Sequence, residues 1–204
     1  MELKQAIAER RSVRKFKSDL VPENYITELM EAARFAPSGT NLQPWRFAVV
    51  TGQEMRERVG SCTPLKFVGR APLILVCCVN AGAMKTTGSR VAELNEAGAF
   101  TGTDLENMSP DEYKKFRRAM DSDAAVQAYL SLNTAISIEH IVLRAADLGL
   151  GSCWVMMFSR DKVKEVLELP KEINPLVLLP IGYPDQNPEA RPRLPVEDIV
   201  VKRV

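Results

Sequence analysis

The sequence predicts a single domain in which α-helices pack with β-strands. Its 204 residues suit one domain with a substantial core. The apolar, β-branched run Ala71–Asn80 is typical of a strand that is covered on both faces. Apolar residues at three- and four-residue spacing predict several helices, of which Asp123–Leu148 is the longest. We expect the whole chain, residues 1–204, to form this one domain.

The composition excludes several classes of protein. Hydrophobic residues make up 46% of the chain, which is unlike a disordered sequence, and the formal net charge is only +1. No overall field therefore favours nucleic acid or an anionic membrane as a partner. The first residues have no apolar signal-peptide core, and no uncharged apolar run reaches the roughly 18 residues of a membrane span. We expect a cytoplasmic protein whose anion binding, if any, comes from local clusters.

Cysteine and histidine do not form a metal-binding pattern. The four cysteines include the adjacent pair Cys77 and Cys78, and there is no C-x-x-C pair. The one histidine, His140, lies among apolar residues, where a structural role is the expected one. We therefore predict reduced, buried thiols, without a zinc site or disulfides.

The N-terminal part begins with two helices. Leu3–Glu9 is a short amphipathic pattern, and a second helix starts at Pro22, a residue suited to the first helical position. The expected buried face of the second helix carries Ile26, Leu29, Met30 and Ala33.

That helix runs into a loop of unusual composition, Ala36–Trp45. Two prolines, a glycine and short polar residues cannot continue a helix, and they offer backbone amides in a tight shape. Loops of this kind commonly carry ligand contacts, but turn chemistry alone also explains the composition. A strand over Phe47–Thr51 follows, and Gly52 ends it.

The middle of the chain contains a predicted insertion. After a helix over Gln53–Val59, a turn at Leu65–Gly69 and the strand to Asn80, residues 81–122 become rich in small and polar side chains. A charged helical piece, Pro110–Met120, lies within it. The insertion is either a lid or a surface segment without a role.

The long helix predicts a homodimer. Asp121 or Ser122 can cap it, and Gly149 can end it. Apolar residues lie almost all round its first two-thirds, which is typical of a helix buried in a large core or a partner. One domain of this size has few layers that could cover it, so we expect this helix near a dimer interface.

The C-terminal part supplies two more strands and an arm. We expect a strand over Ser152–Met157, a helix over Arg160–Leu167 capped by Ser159, and a strand over Pro175–Gly182. Residues from about 184 to 204 are broken by prolines and are expected to form an arm that reaches across the dimer.

Two arginine groups are the main candidate for ligand binding. Three arginines and a serine, Arg10, Arg11, Ser12 and Arg14, fall within five residues. Such a group can hold a phosphate by charge-assisted hydrogen bonds, although a solvated basic surface is the common alternative. Arg191 and Arg193 flank a proline that fixes their direction. Two such groups in a nearly neutral chain suggest one shared anion.

No side-chain catalytic set accompanies these arginines. Gly149–Phe158 contains G-x-G, but Trp154 stands where the third glycine of a dinucleotide loop belongs, and a helix precedes the glycines. P-loop, nucleophile-elbow and hydrolytic triad patterns are also missing. The sequence therefore favours a protein whose chemistry belongs to a bound cofactor.

Five motifs together resemble the FMN-dependent nitroreductase family, in that family's order and spacing. They are Arg10–Phe16, Ala36–Trp45, Ala71–Pro72, Leu148–Trp154 and Arg191–Pro195. The resemblance implies an α+β fold with a central, mostly antiparallel sheet flanked by helices, in a domain-swapped homodimer. It also implies one FMN per subunit at the dimer interface.

The resemblance assigns expected roles to residues. Arg10, Ser12 and Arg14, with Arg11 a weaker candidate, would contact the phosphate, ribityl chain and pyrimidine edge of FMN, and Arg191 and Arg193 would complete the phosphate site. Pro37, Ser38, Gly39 and Asn41 would pack against the flavin of the other subunit, with Gln43 holding the loop. Trp154, Val155, Met156 and Met157 would line the opposite side, with an N–H of Met156 or Met157 reaching flavin N5. Phe100, Met108 and Tyr113 are expected substrate contacts from the insertion.

The implied activity is ping-pong reduction of nitroaromatics, quinones or related small-molecule electrophiles by NAD(P)H. No side chain would be catalytic, and Arg14 would tune the flavin by stabilising negative charge. Two alternatives stay open: a family relative with different flavin chemistry, such as flavin cleavage or ene reduction, and a non-catalytic protein that binds a flavin or anion.

Overall fold

The computed structural model describes residues 1–109, 111–112, 115 and 120–204. In this part of the chain the helices are α1 (Leu3–Glu9), α2 (Glu23–Arg34), α3 (Gln53–Gly60), α4 (Phe67–Arg70), α5 (Thr87–Glu96), α6 (Asp123–Asp147), α7 (Arg160–Val166) and α8 (Val196–Ile199). The strands are β1 (Trp45–Val50), β2 (Leu73–Asn80), β3 (Gly151–Ser152) and β4 (Ile173–Gly182). Short 3₁₀ turns cover Gly39–Asn41 and Ala81–Thr86.

The four strands form one antiparallel sheet in the order β1-β2-β4-β3. Phe47 of β1 lies opposite Cys77 of β2, and Leu75 of β2 lies opposite Leu179 of β4. This confirms the α+β class with an antiparallel sheet. It also confirms the central strand, because every residue of β2 from Leu73 to Val79 is buried.

The sheet lies between two layers of helices, since alternate residues of β2 face opposite sides. On one side Leu75 and its neighbours pack in a core with Leu29 of α2 and Leu130 of α6. On the other side Ile74 and its neighbours pack with residues of α3, α4 and α7, among them Val59 and Val163. The central strand thus joins both cores.

Helix α6 is built as its sequence predicts at both ends. The Ser122 hydroxyl accepts a hydrogen bond from the Ala125 N–H at 3.2 Å, and Gly149 follows the helix with a φ of +74°. Along its length, however, Leu132 and Ile136 are 57% and 36% exposed. The described part of the chain therefore leaves this side of α6 exposed, and the homodimer stays a prediction.

The predicted insertion at 81–122 begins inside the fold. Ala83 is buried in the core beside α6, and α5 contacts the 3₁₀ turn Gly39–Asn41. The predicted helical piece Pro110–Met120 falls largely outside the described residues.

The four cysteines are buried and unpaired, as predicted. His140 has the structural contact expected of it, with Nδ1 3.2 Å from the Ala32 carbonyl oxygen. Within the described ranges, no helix combines the length and the apolar character needed to cross a membrane.

Candidate functional site

The segment that carries the first arginine group is held beside β3. Ser12 forms a parallel bridge with Ser152, and the Val13 N–H donates to the Ser152 carbonyl at 2.9 Å. Gly151 permits this contact, because a Cβ there would lie 2.6 Å from a Val13 methyl carbon. Residues 10–14 are thereby fixed against the end of the sheet.

The chain after β4 returns along the same segment. The Lys17 N–H donates to the Tyr183 carbonyl at 2.9 Å, and the Asp185 N–H donates to the Lys15 carbonyl at 2.9 Å. An ion pair between Lys15 and Asp185, at 2.6 Å, adds to this pairing. As a result, residues that follow Asp185 are brought back beside α1.

The two arginine groups meet in one pocket of about 380 Å³, here named the arginine pocket. Its polar lining consists of Arg10, Arg11, Ser12, Arg14, Glu189, Arg191 and Arg193. The structure therefore brings together all six residues that the sequence proposed for a shared anion.

Most of the pocket's positive charge is not neutralised. Within the described part of the chain, no carboxylate oxygen lies within 4.0 Å of the guanidinium of Arg11, Arg14, Arg191 or Arg193. Arg10 Nε is 4.0 Å from Glu139 Oε1, a distance that makes a weak pair. Unpaired guanidinium groups from two ends of a chain repel one another, so this arrangement favours an anionic ligand.

The pKa values of Glu139 and Cys153 reflect the charges around the pocket. Burial raises the pKa of the Glu139 carboxyl, and the nearby Arg10 and His140 partly oppose that shift. Burial also raises the pKa of the Cys153 thiol, while the charges of Arg14 and Arg10 lower it. The arginines therefore act on the chain just after β3.

The segment after β3 departs from the prediction. The expected strand over Ser152–Met157 is wrong: β3 ends at Ser152, and only Val155 makes a further bridge, to Leu178. The cause is a new set of partners, since Thr63 Oγ1 donates to the Met157 carbonyl at 2.6 Å and the Ser159 N–H donates to the Cys62 carbonyl at 2.9 Å. These bonds draw the chain toward the loop after α3.

Because the strand ends early, Met156 and Met157 are exposed to solvent. Their side chains are 64% and 63% exposed, and in the described part of the chain their N–H groups donate no hydrogen bond. Trp154 is half-buried against the core, and Val155 is buried. Free N–H donors and exposed apolar side chains thus follow a few residues after Ser152, which pairs with Ser12 of the arginine pocket.

The loop Ala36–Trp45 is strained. Thr40, Asn41 and Gln43 have φ values of 48°, 51° and 47°, in the left-handed region that residues other than glycine seldom adopt. The Gln43 N–H donates to Ser38 Oγ, and Gln43 Nε2 donates to Asn41 Oδ1, both at 3.0 Å. Gln43 thus holds the loop through both its backbone and its side chain.

The loop docks on helix α6 through two residues that the sequence reasoning missed. The Gly39 N–H donates to Asn133 Oδ1 at 2.8 Å, and Asn133 Nδ2 donates to the Tyr129 carbonyl at 2.8 Å. Gly39 also packs on the Tyr129 ring, since a Cβ there would lie 1.9 Å from the phenol oxygen. An amide in the apolar pattern of α6 was the available signal.

The predicted site residues do not all line one pocket within one chain. None of the loop residues Pro37, Ser38, Gly39, Asn41 and Gln43 lines the arginine pocket. Phe100 and Met108 are half-buried in the segment between α5 and residue 109. Tyr113 lies outside the described residues.

The geometry agrees with comparisons to known proteins. A protein named NADH dehydrogenase from Thermus thermophilus is 31% identical over 207 residues, which covers 100% of this chain and 97% of that protein. The crystal structure of a nitroreductase family protein from Streptococcus pneumoniae TIGR4 matches with a TM-score of 0.76 at 29% identity, covering 99% of this chain and 100% of that one.

A third comparison matches the fold alone, because its identity is only 19%. It is the structure of a candidate nitroreductase from Exiguobacterium sibiricum 255-15 in complex with FMN, with a TM-score of 0.82 and coverage of 100% and 98%. The model of the Nitroreductase family matches residues 7–183, from α1 to the end of β4. The chain belongs to the nitroreductase family.

Proposed function

We propose that this chain is an FMN-dependent oxidoreductase that uses NAD(P)H to reduce nitroaromatics, quinones or related electrophiles. The observation that carries the proposal is the arginine pocket of about 380 Å³, which five arginines and Ser12 line. Four of these arginines have no ion-pair partner among the residues that the structure describes. A phosphate monoester needs such donors. Family membership and the FMN bound by the Exiguobacterium relative support FMN as the molecule whose phosphate this pocket binds.

The residues present suit FMN in other respects. Arg10, Arg11, Ser12, Arg14, Arg191 and Arg193 would hold its phosphate and polar edge. The free N–H groups of Met156 and Met157 supply donors for a ring nitrogen, and they do so without adding a competing acid. The exposed side chains of both methionines offer an apolar surface to a flat ring or an aromatic acceptor.

We further propose that the site is completed by a second copy of the chain. The strained loop does not line its own arginine pocket, and Leu132 and Ile136 of α6 are uncovered. In a homodimer Pro37, Ser38, Gly39 and Asn41 would reach the partner's cofactor. The arm at 184–204, whose Val196 and Ile199 are exposed, would reach across the same interface.

FMN, when bound, would supply hydride transfer between NAD(P)H and the acceptor. The chain's own part is to bind and orient. Arg14 would place a fixed positive charge where negative charge develops on reduction, and the rigid loop would exclude water from one face. In the proposed ping-pong reaction NAD(P)H and the acceptor use the same exposed surface in turn, with Phe100, Met108 and Tyr113 as candidate contacts.

The first test uses the purified protein. It should be yellow, release FMN on denaturation, and bleach anaerobically when NADH or NADPH is added, and a screen of nitroaromatics, quinones and enones should then identify acceptors. A colourless protein that FMN does not stabilise against heat would overturn the proposal. A yellow protein that neither nicotinamide reduces would favour a non-catalytic flavin-binding role.

The second test separates the site from general charge effects. Arg14→Ala should weaken FMN binding by about tenfold, the usual effect of losing a charge-assisted hydrogen bond, and should slow reduction by NAD(P)H. Arg70→Ala is the matched control, because Arg70 is exposed and lies outside the arginine pocket. Equal behaviour of the two variants would refute the role of Arg14.

A further inference from the structure

We propose that Asn133 is a positioning residue that sets the shape of the loop Pro37–Gln43 and, through it, the affinity for FMN. This inference rests on the proposed function, because it names what holds one wall of that same site. Asn133 lies in the middle of α6 and contacts the loop backbone, and it does not line the arginine pocket.

Asn133 is a polar side chain in an apolar setting. It is 4% exposed, and the neighbouring Leu130 and Ile138 of α6 are fully buried. Both ends of its amide are used: Oδ1 accepts from the Gly39 N–H at 2.8 Å, and Nδ2 donates to the Tyr129 carbonyl at 2.8 Å. The bond to the Tyr129 carbonyl fixes the Asn133 side chain on its own helix, so the bond from the Gly39 N–H fixes the loop to that helix.

The loop needs such a contact because it is strained. Thr40, Asn41 and Gln43 all have φ near +50°, and such conformations persist only where surrounding contacts hold them. The ties that Gln43 makes to Ser38 and Asn41 are internal to the loop. The Gly39 hydrogen bond is different, since it joins the loop to a helix of 25 residues.

Gly39 makes the contact specific. It lies against the Tyr129 ring so closely that a Cβ would meet the phenol oxygen at 1.9 Å. The absence of a side chain lets the Gly39 N–H approach Asn133. Asn133 and Tyr129 are one helical turn apart, so α6 presents a hydrogen-bond acceptor and a flat surface to the same loop residue.

A consequence for binding follows. If Asn133 stops accepting from Gly39, the loop gains alternative conformations, and FMN must select the competent one from among them. The apparent dissociation constant then rises in proportion to the lost population. The arginine pocket is not changed by this substitution, so phosphate recognition is retained while the flavin-facing wall is loosened.

The test compares two substitutions in α6. Asn133→Leu keeps the branching and the number of heavy atoms of the side chain and removes the acceptor of the Gly39 N–H. Ser137→Ala is the matched control, because Ser137 is also fully buried but its hydroxyl donates only to the Thr134 carbonyl of the same helix. Both variants are purified as the full chain and examined without cofactor and with added FMN.

Thermal unfolding shows whether each variant is folded, and two further measurements test the role of Asn133. Amide hydrogen exchange of Gly39, followed by NMR on cofactor-free protein, should be at least about tenfold faster in Asn133→Leu than in wild type and unchanged in Ser137→Ala. The FMN dissociation constant should rise about tenfold in Asn133→Leu only. Unchanged Gly39 exchange, or equal losses of FMN affinity in both variants, would overturn the proposal.

A second, smaller substitution covers the case in which Asn133→Leu does not fold. Asn133→Ala also removes the acceptor of the Gly39 N–H and adds no bulk to the site, so it should show the same roughly tenfold faster exchange of Gly39. Protection of Gly39 equal to wild type in a folded Asn133→Ala protein would contradict the inference. If wild type binds no FMN, the proposed function fails, whereas the exchange of Gly39 still decides whether Asn133 holds the loop.

Discussion

Gly39→Ala is the substitution whose effect the structure defines most sharply. Gly39 does not have a positive φ, so alanine is compatible with its backbone, and the only obstacle is space. The new Cβ would lie 1.9 Å from the Tyr129 hydroxyl oxygen and 3.0 Å from the ring carbon that carries it. The oxygen must therefore move by about 1.5 Å to restore ordinary contact.

The expected loss of stability follows from these distances. Overpacking a site by one methyl group costs typically about 1–3 kcal/mol. Tyr129 is only partly buried, and the clashing atom is at the end of its ring, so we take the middle of that range. Replacing glycine by alanine also returns about 0.5 kcal/mol through the unfolded state. We expect Gly39→Ala to lower the free energy of unfolding by about 1.5 kcal/mol.

A second substitution should reverse the effect. Tyr129→Phe removes the clashing oxygen, which makes no hydrogen bond in the described part of the chain, and leaves the nearest atom at 3.0 Å. The double variant should therefore recover about 1 kcal/mol relative to Gly39→Ala. Gly88→Ala is the matched control, because nothing lies within 4 Å of its new Cβ in α5, and it should stabilise slightly.

The assay is urea unfolding of cofactor-free protein at one fixed protein concentration, followed by circular dichroism. If Gly39→Ala is as stable as wild type, or if Tyr129→Phe fails to improve its stability, the contact between Gly39 and Tyr129 is not crowded. Equal destabilisation by Gly39→Ala and Gly88→Ala would also contradict it, since only the first site is crowded.

Three further predictions concern charge, burial and capping. Because the Glu139 carboxylate lies beside Arg10, Glu139→Gln should tighten FMN binding about threefold at pH 8. Burial raises the pKa of Glu139, so the difference between this variant and wild type should vanish as the pH falls through that pKa and the carboxyl becomes neutral. Burial raises the pKa of Cys78 to about 12 and that of Cys77 well above its usual value. A thiol reagent at pH 8 should therefore label neither of them in the native protein but all four cysteines after unfolding, and labelling of this pair in the native protein would refute their burial. Ser122→Ala removes the cap of α6 and should lower the free energy of unfolding by about 1 kcal/mol in the same urea assay, and an unchanged midpoint would contradict the cap's role.

The sequence predicted the elements whose pattern is local. The two-sided burial of β2 follows from its unbroken apolar run, and both ends of α6 follow from Ser122 and Gly149. The arginine pocket was also foreseeable, because two arginine groups in a nearly neutral chain suggest a common anion. In each case the prediction depends on short stretches of sequence, and for the pocket it depends on two of them.

What the sequence did not reveal depends on contacts between distant residues. The strand expected over Ser152–Met157 is cut short by hydrogen bonds with Cys62 and Thr63, which lie some ninety residues earlier. The role of Asn133 is invisible until Gly39 is placed beside it. An amide within the apolar pattern of α6 is unusual, but the pattern does not identify the residue that this amide contacts.

The arginine pocket joins two segments that lie far apart in the chain, and this sets the order in which it can form. Arg191 and Arg193 are synthesised long after Arg10–Arg14, with the four strands of the sheet between them. The pairing of residues 15–17 with residues 183–185 likewise waits for the chain that follows β4. An anion that requires both arginine groups can therefore bind only after Arg193 has been made and has folded back beside α1, so occupancy of the pocket would report that the sheet between the two segments has formed.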